Sequence, residues 1–504
     1  MNTRRSGVLL HPLSLPGPAG CGDLGPGAHA FLRFLADAGQ SLWQMLPMGP
    51  TGYADSPYQC LSSMAGNPLM ISLDLLMEDG LLTQDQLKAP AFSRKRLEYP
   101  RLGTWKEAAL ELAWQRFRAT PDHALWDAFR AFYTAEGWWL HDFALFMTLR
   151  ELHGQACWNQ WPAPLAHRQA SALEDLNQLE HSRVLRHKFH QFLFFRQLER
   201  LRAAARELGI LLVGDMPIFV AFDSADVWAW RSYFRITEEG QPEVVAGVPP
   251  DYFSEDGQRW GNPLYNWDAM RQDDWWWWRS RFHMLMRQCD VIRVDHFRGF
   301  EACWEIPGTS PTARVGQWVK TPGRELFTAL QRHLPHLRLI AEDLGLITPE
   351  VASLRQDFNM PGMKILQFAF FTDSRDPFLP HNYEQACVGY TGTHDNNTMA
   401  GFYKEDATPA QQAWMRRYLD FTTEEDLIHR SLDRLWGSSA NWVLAPMQDL
   451  LGLGAEARVN TPGTTGGNWA WRMGGTWPKA ALERQLQDLN TRFNRNLPPR
   501  EVLD

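Results

Sequence analysis

The chain has 504 residues, of which 44% are hydrophobic and 21% are charged, an ordinary balance for a globular protein. This length exceeds what one simple hydrophobic core accommodates, so we expect either several domains or one barrel with insertions. The formal net charge of −8 offers no basic stripe for phosphates. The charge therefore argues against nucleic acid and against an anionic membrane surface as partners.

Cysteine and tryptophan usage adds two expectations. The six cysteines are scattered and include no C-x-x-C pair, which predicts free thiols and a reducing, cytoplasmic location. No apolar run approaches the roughly 18 residues of a membrane-spanning helix, so no span is predicted. The 24 tryptophans favour carbohydrate handling, because indole faces stack on sugar C–H faces, although a large core also takes up tryptophan.

Several stretches of the chain interrupt regular strands. Residues 7–27 are rich in Gly and Pro and predict an ordered loop. Residues 76–207 lack β-branched runs and repeat apolar residues at helical spacing, which predicts a helical insertion subdomain. Residues 216–266 predict a long loop insertion. A helix with one apolar stripe follows, and Trp276 and Trp277 point away from that stripe with no partner that the sequence identifies.

Short apolar runs predict eight strands, most of them separated by helical stretches. The runs lie at 41–47, 69–73, 210–215, 291–295, 337–345, 363–368, 387–395 and 441–446. This count and alternation predict an α/β protein in which residues 1–504 form a single (β/α)₈ barrel. Only a short tail follows the last strand, so no C-terminal β-sandwich is expected.

The stretch around Asp295 changes abruptly from a β-branched core to charged residues. Arg293 lies two residues before Asp295, so both side chains share one strand face and the guanidinium can hold the carboxylate ionised. An ionised carboxylate at a strand end meets the requirement for a nucleophilic Asp. A structural salt bridge closing the strand explains this stretch equally well.

Three of the predicted strands end in an acid, namely Asp295, Glu342 and Asp395. The carboxyl ends of barrel strands converge on one mouth, so these acids are expected to meet there, with His296 and His394 beside them. Three carboxylates around one pocket suit glycosyl transfer or divalent metal binding. Any one of these acids could end its strand without a shared function. That explanation is poor for all three acids together.

Glycosyl chemistry fits these residues better than a metal site does. It needs an ionised nucleophile and a proton donor on either side of the scissile bond. Glu342 has no cation within two residues, so burial and nearby carboxylates could raise its pKa as a donor requires. Arg293 would compete with a metal ion for the oxygens of Asp295, which weakens the metal alternative. No metal and no cofactor are expected.

Seven blocks of the sequence resemble the 4-α-glucanotransferases (amylomaltases, disproportionating enzymes), which are relatives of the α-amylase clan. The blocks that resemble the catalytic ones are 293–299, 341–345 and 392–396. The further blocks are 54–58 with 66–68, 214–218, 247–253 continuing to 260–263, and 460–469. They follow one another in order along nearly the whole chain, which makes the match specific.

The resemblance implies roles for individual residues. It implies that Asp295 is the nucleophile, Glu342 the acid/base and Asp395 the stabiliser of the transition state. Residues 247–263 resemble the flap around which glucan chains wind in this family. The side chains expected to bind substrate are Tyr58, Asp215, Tyr252, Phe253, Trp260, Arg293, His296, His394 and Asn396.

The expected activity is therefore transfer of α-1,4-glucan segments to glucose or glucan acceptors with retention of configuration. The acids alone do not separate this from hydrolysis by an α-glucan hydrolase of the same clan. The missing β-sandwich and the aromatic loop, which can hold an acceptor, favour transfer. A non-catalytic glucan-binding barrel and a metal-dependent sugar enzyme remain as alternatives. A monomer or weak homodimer is expected.

Overall fold

Parallel strands form a barrel at the centre of the computed structural model, which describes residues 3–250 and 254–496. The strands in these residues are β1 (Arg5–Leu9), β2 (Leu42–Gln44), β3 (Leu211–Met216), β4 (Val244–Val248), β5 (Gln258–Pro263), β6 (Val291–Val294), β7 (Ala302–Pro307), β8 (Gln317–Lys320), β9 (Leu339–Ala341), β10 (Gly362–Ile365), β11 (Cys387–Tyr390) and β12 (Trp442–Pro446). Eight of them pair in the order β10-β11-β12-β1-β2-β3-β6-β9. The predicted (β/α)₈ barrel is confirmed.

The barrel closes between β9 and β10. The Ala341 N–H donates to the Pro361 carbonyl oxygen at 2.9 Å, and this is the one backbone hydrogen bond joining the two strands among the described residues. The Asp343 carboxylate adds a second link, because it accepts from the Met363 N–H at 2.7 Å. A side chain thus completes the seam where the backbone ladder is short.

Apolar side chains fill the barrel interior. They come from alternating positions of the strands and are all buried: Leu42, Leu211, Val213, Val291, Ile340, Met363, Ile365, Val388, Tyr390, Trp442 and Leu444. The outer strand faces are buried as well, because helices cover them, so the strands read as nearly continuous apolar runs. The barrel is a packed core, and the polar side chains gather at its mouth.

Helices surround the barrel. Their bounds are α1 (Pro26–Asp37), α2 (Leu73–Glu78), α3 (Tyr99–Arg118), α4 (Trp126–Ala135), α5 (Gly137–Leu152), α6 (Ala163–Ala166), α7 (Ala170–Leu179), α8 (His181–Glu207), α9 (Ala225–Ala229), α10 (Trp267–Gln272), α11 (Trp276–Gln288), α12 (Gly323–His333), α13 (Pro349–Asp357), α14 (Met399–Gly401), α15 (Pro409–Leu419), α16 (Glu424–Trp436), α17 (Met447–Leu450) and α18 (Lys479–Arg492). None of the helices within the described residues is both long and apolar enough to cross a membrane.

Two of the predicted strand positions need correction. The first barrel strand is β1, which overlaps the start of the stretch predicted as a loop, and the predicted strand at 69–73 is a turn leading into α2. Gly7 explains the first error, since a Cβ there would lie 2.2 Å from the carbonyl oxygen of Leu42 on the adjacent strand. The Asn67 side chain caps the turn by accepting from the Leu69 N–H at 2.9 Å, which favours helical backbone after it.

The stretch 76–207 contains helices α3 to α8 and no strand. Its centre is aromatic: the Phe117 ring stacks on Trp126 at 4.3 Å and on Phe189 at 4.5 Å between ring centroids. These side chains belong to one buried cluster that continues to the helices of the barrel. The division of the chain into subdomains stays a prediction.

The stretch 216–266 is more regular than the predicted loop. It contains β4 and β5, which pair with β7 and β8 in a separate antiparallel sheet of order β5-β4-β7-β8. Alternating patterns are weak in these strands, because Gly247 and Gly261 interrupt them. After β12, the described residues contain α17 and α18 and no strand.

Trp276 and Trp277, for which the sequence identifies no partner, both pack against other aromatic rings in the structure. The Trp276 ring makes edge contacts with Trp138 of α5 at 5.6 Å and with Trp230 at 6.1 Å. Trp277 is buried and packs against Phe234 at 5.9 Å. Both rings therefore join the core that links α11 to distant parts of the chain, which a single amphipathic stripe does not reveal.

Candidate active site

The barrel register places the first two acids side by side. Val294 of β6 pairs with Ala341 of β9, so the next residue on each strand is an acid, Asp295 and Glu342. The backbone bonding continues past the strand ends, since the Glu342 N–H donates to the Val294 carbonyl at 3.0 Å. Two carboxylates 47 positions apart thus lie on neighbouring strands at the same end of the barrel.

Arg293 supplies a positive charge in contact with Asp295. Its side chain is 3% exposed, and its Nη1 donates to both oxygens of Asp215 at 2.8 Å and to Oδ1 of Asp295 at 3.0 Å. Burial alone would lower the pKa of Arg293, but the carboxylates of Asp215 and Asp295 raise it well above its ordinary value. The predicted pairing of Arg293 with Asp295 is present, and Asp215 is the second partner.

Asp215 lies below the open part of the site. Its side chain has no exposed surface, and its Oδ2 also accepts from the Tyr58 hydroxyl at 2.8 Å. The strand register explains this position, because Asp215 on β3 pairs directly with Arg293 on β6. Asp215 therefore supports Arg293 and Tyr58, and its contact with substrate stays a prediction.

Glu342 accepts hydrogen bonds from neutral backbone groups. Its Oε2 accepts from the His296 N–H at 2.7 Å, and its Oε1 accepts from the Leu344 N–H at 3.1 Å. Burial and the nearby Asp295 charge raise the pKa of Glu342 to about 8, against the opposing effect of Arg293. Glu342 therefore carries a proton at neutral pH, as a general acid requires.

His296 forms the turn beside Glu342. Its backbone is left-handed, with φ of 48°, and burial lowers the pKa of its imidazole to about 4. The ring meets Trp260 of β5 edge to face, with 4.8 Å between centroids. His296 is thus neutral and links the acid to the 247–263 segment. The predicted aromatic residues Tyr252 and Phe253 of that segment lie outside the described residues.

Asp395 lies on a loop and not at a strand end, which corrects the prediction. β11 ends at Tyr390, and residues 391–398 lead from it to α14. The Oδ2 of Asp395 is 3.3 Å from Nε2 of His394, and its Oδ1 accepts from Nδ2 of Asn460 at 2.6 Å. Burial would raise the pKa of Asp395, but His394 and Asn460 outweigh it and hold the pKa below its ordinary value.

Three rings form one wall of the site. The Tyr58 ring stacks on His394 at 5.0 Å with an interplanar angle of 17°. Trp469 contacts both rings, at 5.7 Å from Tyr58 and 5.9 Å from His394. Asn396 does not join this wall, because its Oδ1 accepts from the Thr393 N–H at 2.9 Å and so stabilises the turn of the loop.

Asn460 and Trp469 have no role predicted from the sequence, although both lie in the block 460–469. The block itself is the signal that could have found them, since two residues of one late loop contact Asp395 and His394. Within residues 3–250 and 254–496, no group of three or more His, Cys, Asp and Glu side chains could hold a metal ion.

Comparisons with known proteins identify the family of the chain. A family model described as 4-alpha-glucanotransferase matches residues 10–476. A 4-alpha-glucanotransferase of Thermus thermophilus is 50% identical over 479 residues, which cover 93% of this chain and 95% of that protein. One of Synechocystis sp. is 47% identical over 477 residues, which cover 94% of each chain.

A solved structure agrees with the sequence matches. The amylomaltase from Streptococcus agalactiae in complex with acarbose superimposes with a TM-score of 0.94 at 36% identity, over 98% of this chain and 100% of that chain. The resemblance drawn from seven sequence blocks is therefore confirmed, and the chain belongs to the 4-α-glucanotransferase family.

Proposed function

We propose that the chain transfers α-1,4-glucan segments to the 4-hydroxyl of glucose or of another glucan by a retaining double displacement. The observation that carries the proposal is that two adjacent carboxyl groups have unequal surroundings. Asp295 accepts a hydrogen bond from the buried cation Arg293, whereas burial raises the pKa of Glu342 to about 8. A charged nucleophile next to a protonated acid is the pair that retaining glycosyl transfer needs.

In the first step, an oxygen of Asp295 attacks the anomeric carbon and the glycosidic C–O bond breaks. Arg293 bonds Oδ1, so we assign the attack to Oδ2. Glu342 donates its proton to the leaving oxygen, which departs as the free 4-hydroxyl of the shortened glucan. The glucan segment stays bound to Asp295 as an ester.

In the second step, the 4-hydroxyl of an acceptor attacks the same carbon. The Glu342 carboxylate takes the acceptor proton, and the bond to Asp295 breaks. Two inversions give net retention, and glucose is released when it is the leaving sugar. The negative Asp395 carboxylate would stabilise the positive charge that develops on the sugar ring in both steps.

The remaining predicted residues would hold substrate around this centre. We assign the ring wall of Tyr58, His394 and Trp469 to the sugar next to the cleaved bond, because an aromatic face suits a sugar C–H face. Trp260 would hold residues 254–263 of the flap beside the acceptor through its contact with His296. Bound acceptor and excluded water favour transfer over hydrolysis.

Maltotriose supplied alone as substrate tests the proposal directly. We expect longer oligomers and glucose, with little rise in total reducing ends. A steady rise in reducing ends would favour the alternative of an α-glucan hydrolase. Binding without turnover would favour a non-catalytic glucan-binding barrel, and loss of activity in EDTA would favour a metal-dependent enzyme.

We also propose that the protein works in the cytoplasm. All six cysteines are free thiols, four of them buried. Free thiols persist in a reducing compartment. Fractionation of the producing cell, with activity on maltotriose as the readout, tests this location, and activity in the extracellular fraction would contradict it.

A further inference from the structure

The loop that carries Asp395 lacks regular structure, so its shape depends on contacts with other segments. Its centre is bonded to residues 458–460: Arg458 Nη2 donates to the Asp395 carbonyl at 2.9 Å, and the Asn460 N–H donates to the His394 carbonyl at 3.0 Å. Near the end of the loop, the Gln367 side chain donates to the Asn397 carbonyl at 2.8 Å. None of these contacts fixes the two ends of the loop.

A single buried carboxylate holds both ends. Asp449 lies in α17, directly after β12, and is 1% exposed. Its Oδ2 accepts from the Thr391 hydroxyl at 2.5 Å, and its Oδ1 accepts from the Met399 N–H at 2.7 Å. Thr391 directly follows β11, and Met399 begins α14, so the two bonds bracket the loop at its first and last residues.

The two bonds use one oxygen of the carboxylate each, and an apolar side chain at this position would leave both donors without a partner. An Asn would not remove the bonds, because the Thr391 hydroxyl can accept from its amide as well as donate. Burial raises the pKa of Asp449 to about 6, and the bonds from Thr391 and Met399 oppose that rise. Burying an acid without an ion pair is costly, so this arrangement points to a requirement for the shape of the loop.

We propose that Asp449 is a positioning residue that sets the place of Asp395 and His394 by closing the loop 391–399 at both ends. It touches neither sugar nor the reacting atoms. The inference rests on the proposed role of Asp395 as the stabiliser of the transition state. A loop released at its ends would shift that charge, and small displacements of such a charge lower the rate of the chemical step more than they lower affinity.

The test is Asp449→Ala assayed on maltotriose, with kcat and KM measured separately. We expect kcat to fall by about 10–100-fold while KM stays within about threefold, because the lost interaction acts mainly on the transition state. Asp290→Ala is the control. Asp290 is a largely buried acid that accepts from the Leu212 N–H at 2.9 Å and pairs with Arg202 at 3.0 Å, and it lies at the other end of the barrel.

A second pair of variants keeps the test decisive if Asp449→Ala folds poorly. Thr391→Val removes the hydroxyl donor with little change of shape and should lower kcat, whereas Thr391→Ser keeps the donor and should restore kcat to near the unaltered value. Combined with Asp449→Ala, Thr391→Val should cost less than the two losses added, since both remove the same bond.

Three outcomes would overturn the inference: an unchanged kcat in Asp449→Ala, a rise in KM alone, or equal losses in Asp290→Ala and Asp449→Ala. The failure of the proposed function looks different. In that case Asp395→Asn itself would retain activity, whatever Asp449→Ala does. Loss of activity in Asp395→Asn together with full activity in Asp449→Ala would refute only the positioning role.

Discussion

The two sides of the site stabilise a carboxyl group in opposite ways. On the β9 side, Glu342 accepts from two backbone N–H groups and has no direct ion pair. Burial raises its pKa to about 8, although the two hydrogen bonds oppose the rise. On the β11 side, Asp395 is 43% exposed and receives the side chains of His394 and Asn460, which hold its pKa below the ordinary value. In the proposed mechanism, the same functional group is thus a proton donor on one side and a fixed negative charge on the other.

The difference follows from where each acid lies in the chain. Glu342 directly follows a barrel strand, so the backbone ladder positions it and the packed core removes water from it. Asp395 lies five residues beyond its strand, so its partners come from other segments, among them residues 458–460. Burial sets the state of one acid, and neighbouring side chains set the state of the other.

The largest effect is expected from Asp295→Asn, which provides the reference for both sides. Removal of the nucleophile should lower turnover of maltotriose by about 10⁴-fold or more, as for other covalent nucleophiles. Initial rates and circular dichroism would be measured together, so that loss of folding is recognised. Residual activity above a few per cent would remove Asp295 from that role.

Asp395→Asn should be next, with a loss of about 10³-fold, since a preorganised charge contributes strongly in a site shielded from water. The loss should be similar on maltotriose and on an α-glucosyl fluoride, because the charge acts on the sugar ring and not on the leaving group. A loss confined to maltotriose would instead make Asp395 part of the proton transfer and would erase the contrast with Glu342.

Glu342→Gln should give the opposite pattern. Turnover of maltotriose should fall by about 10²–10³-fold, the range for loss of a general acid. Turnover of the fluoride donor to its glycosyl-enzyme should fall much less, because fluoride leaves without a proton. Burst kinetics with the fluoride would separate the two steps, and equal losses on both donors would contradict the acid role.

The pH dependence sharpens the comparison further. Glu342 donates a proton only when it is protonated, so kcat/KM should be high below pH 8 and fall as the pH rises through the pKa of about 8. Glu342→Gln should lack this alkaline limb, whereas Asp395→Asn should keep it. Initial rates between about pH 5 and pH 10 measure it, and an unchanged limb in Glu342→Gln would assign the ionisation to another group.

The smallest effect is expected from Asn460→Ala. It removes one hydrogen bond to a charged carboxylate, which is worth about tenfold in rate. It should also raise the pKa of Asp395, because Asn460 is one of the groups that lower it. Asn468→Ala is the control, because Asn468 bonds Thr461 and Thr464 within the same loop. Equal effects of the two variants would point to loop order alone.

Much of the fold was predictable because buried parallel strands form apolar runs. Seven of the eight predicted runs coincide with barrel strands. The first barrel strand was missed because Gly7 and the prolines near it resemble a loop, although the close approach of Leu42 is what requires that glycine. The run at 69–73 was assigned wrongly because a short apolar run does not separate a strand from the start of a helix.

The site was predictable where it lies next to a strand and less so where it depends on loops. The spacing of Arg293 and Asp295 predicted their contact, and strand ends predicted the place of Glu342. The spacing does not show that Asp215 shares Arg293, since the two meet only through the register of β3 and β6. Asn460 and Asp449 reach the Asp395 loop from residues far along the chain, which no local pattern records.

The seam between β9 and β10 has a consequence for heat inactivation. Only one main-chain hydrogen bond crosses it in the described part of the chain, and Glu342 directly follows β9, one of its two strands. Heating should therefore separate β9 from β10 first. Activity should then be lost at temperatures where the far-ultraviolet circular dichroism is still that of the folded protein. A sugar ligand bound at the mouth of the barrel should hold the two strands together and delay that loss.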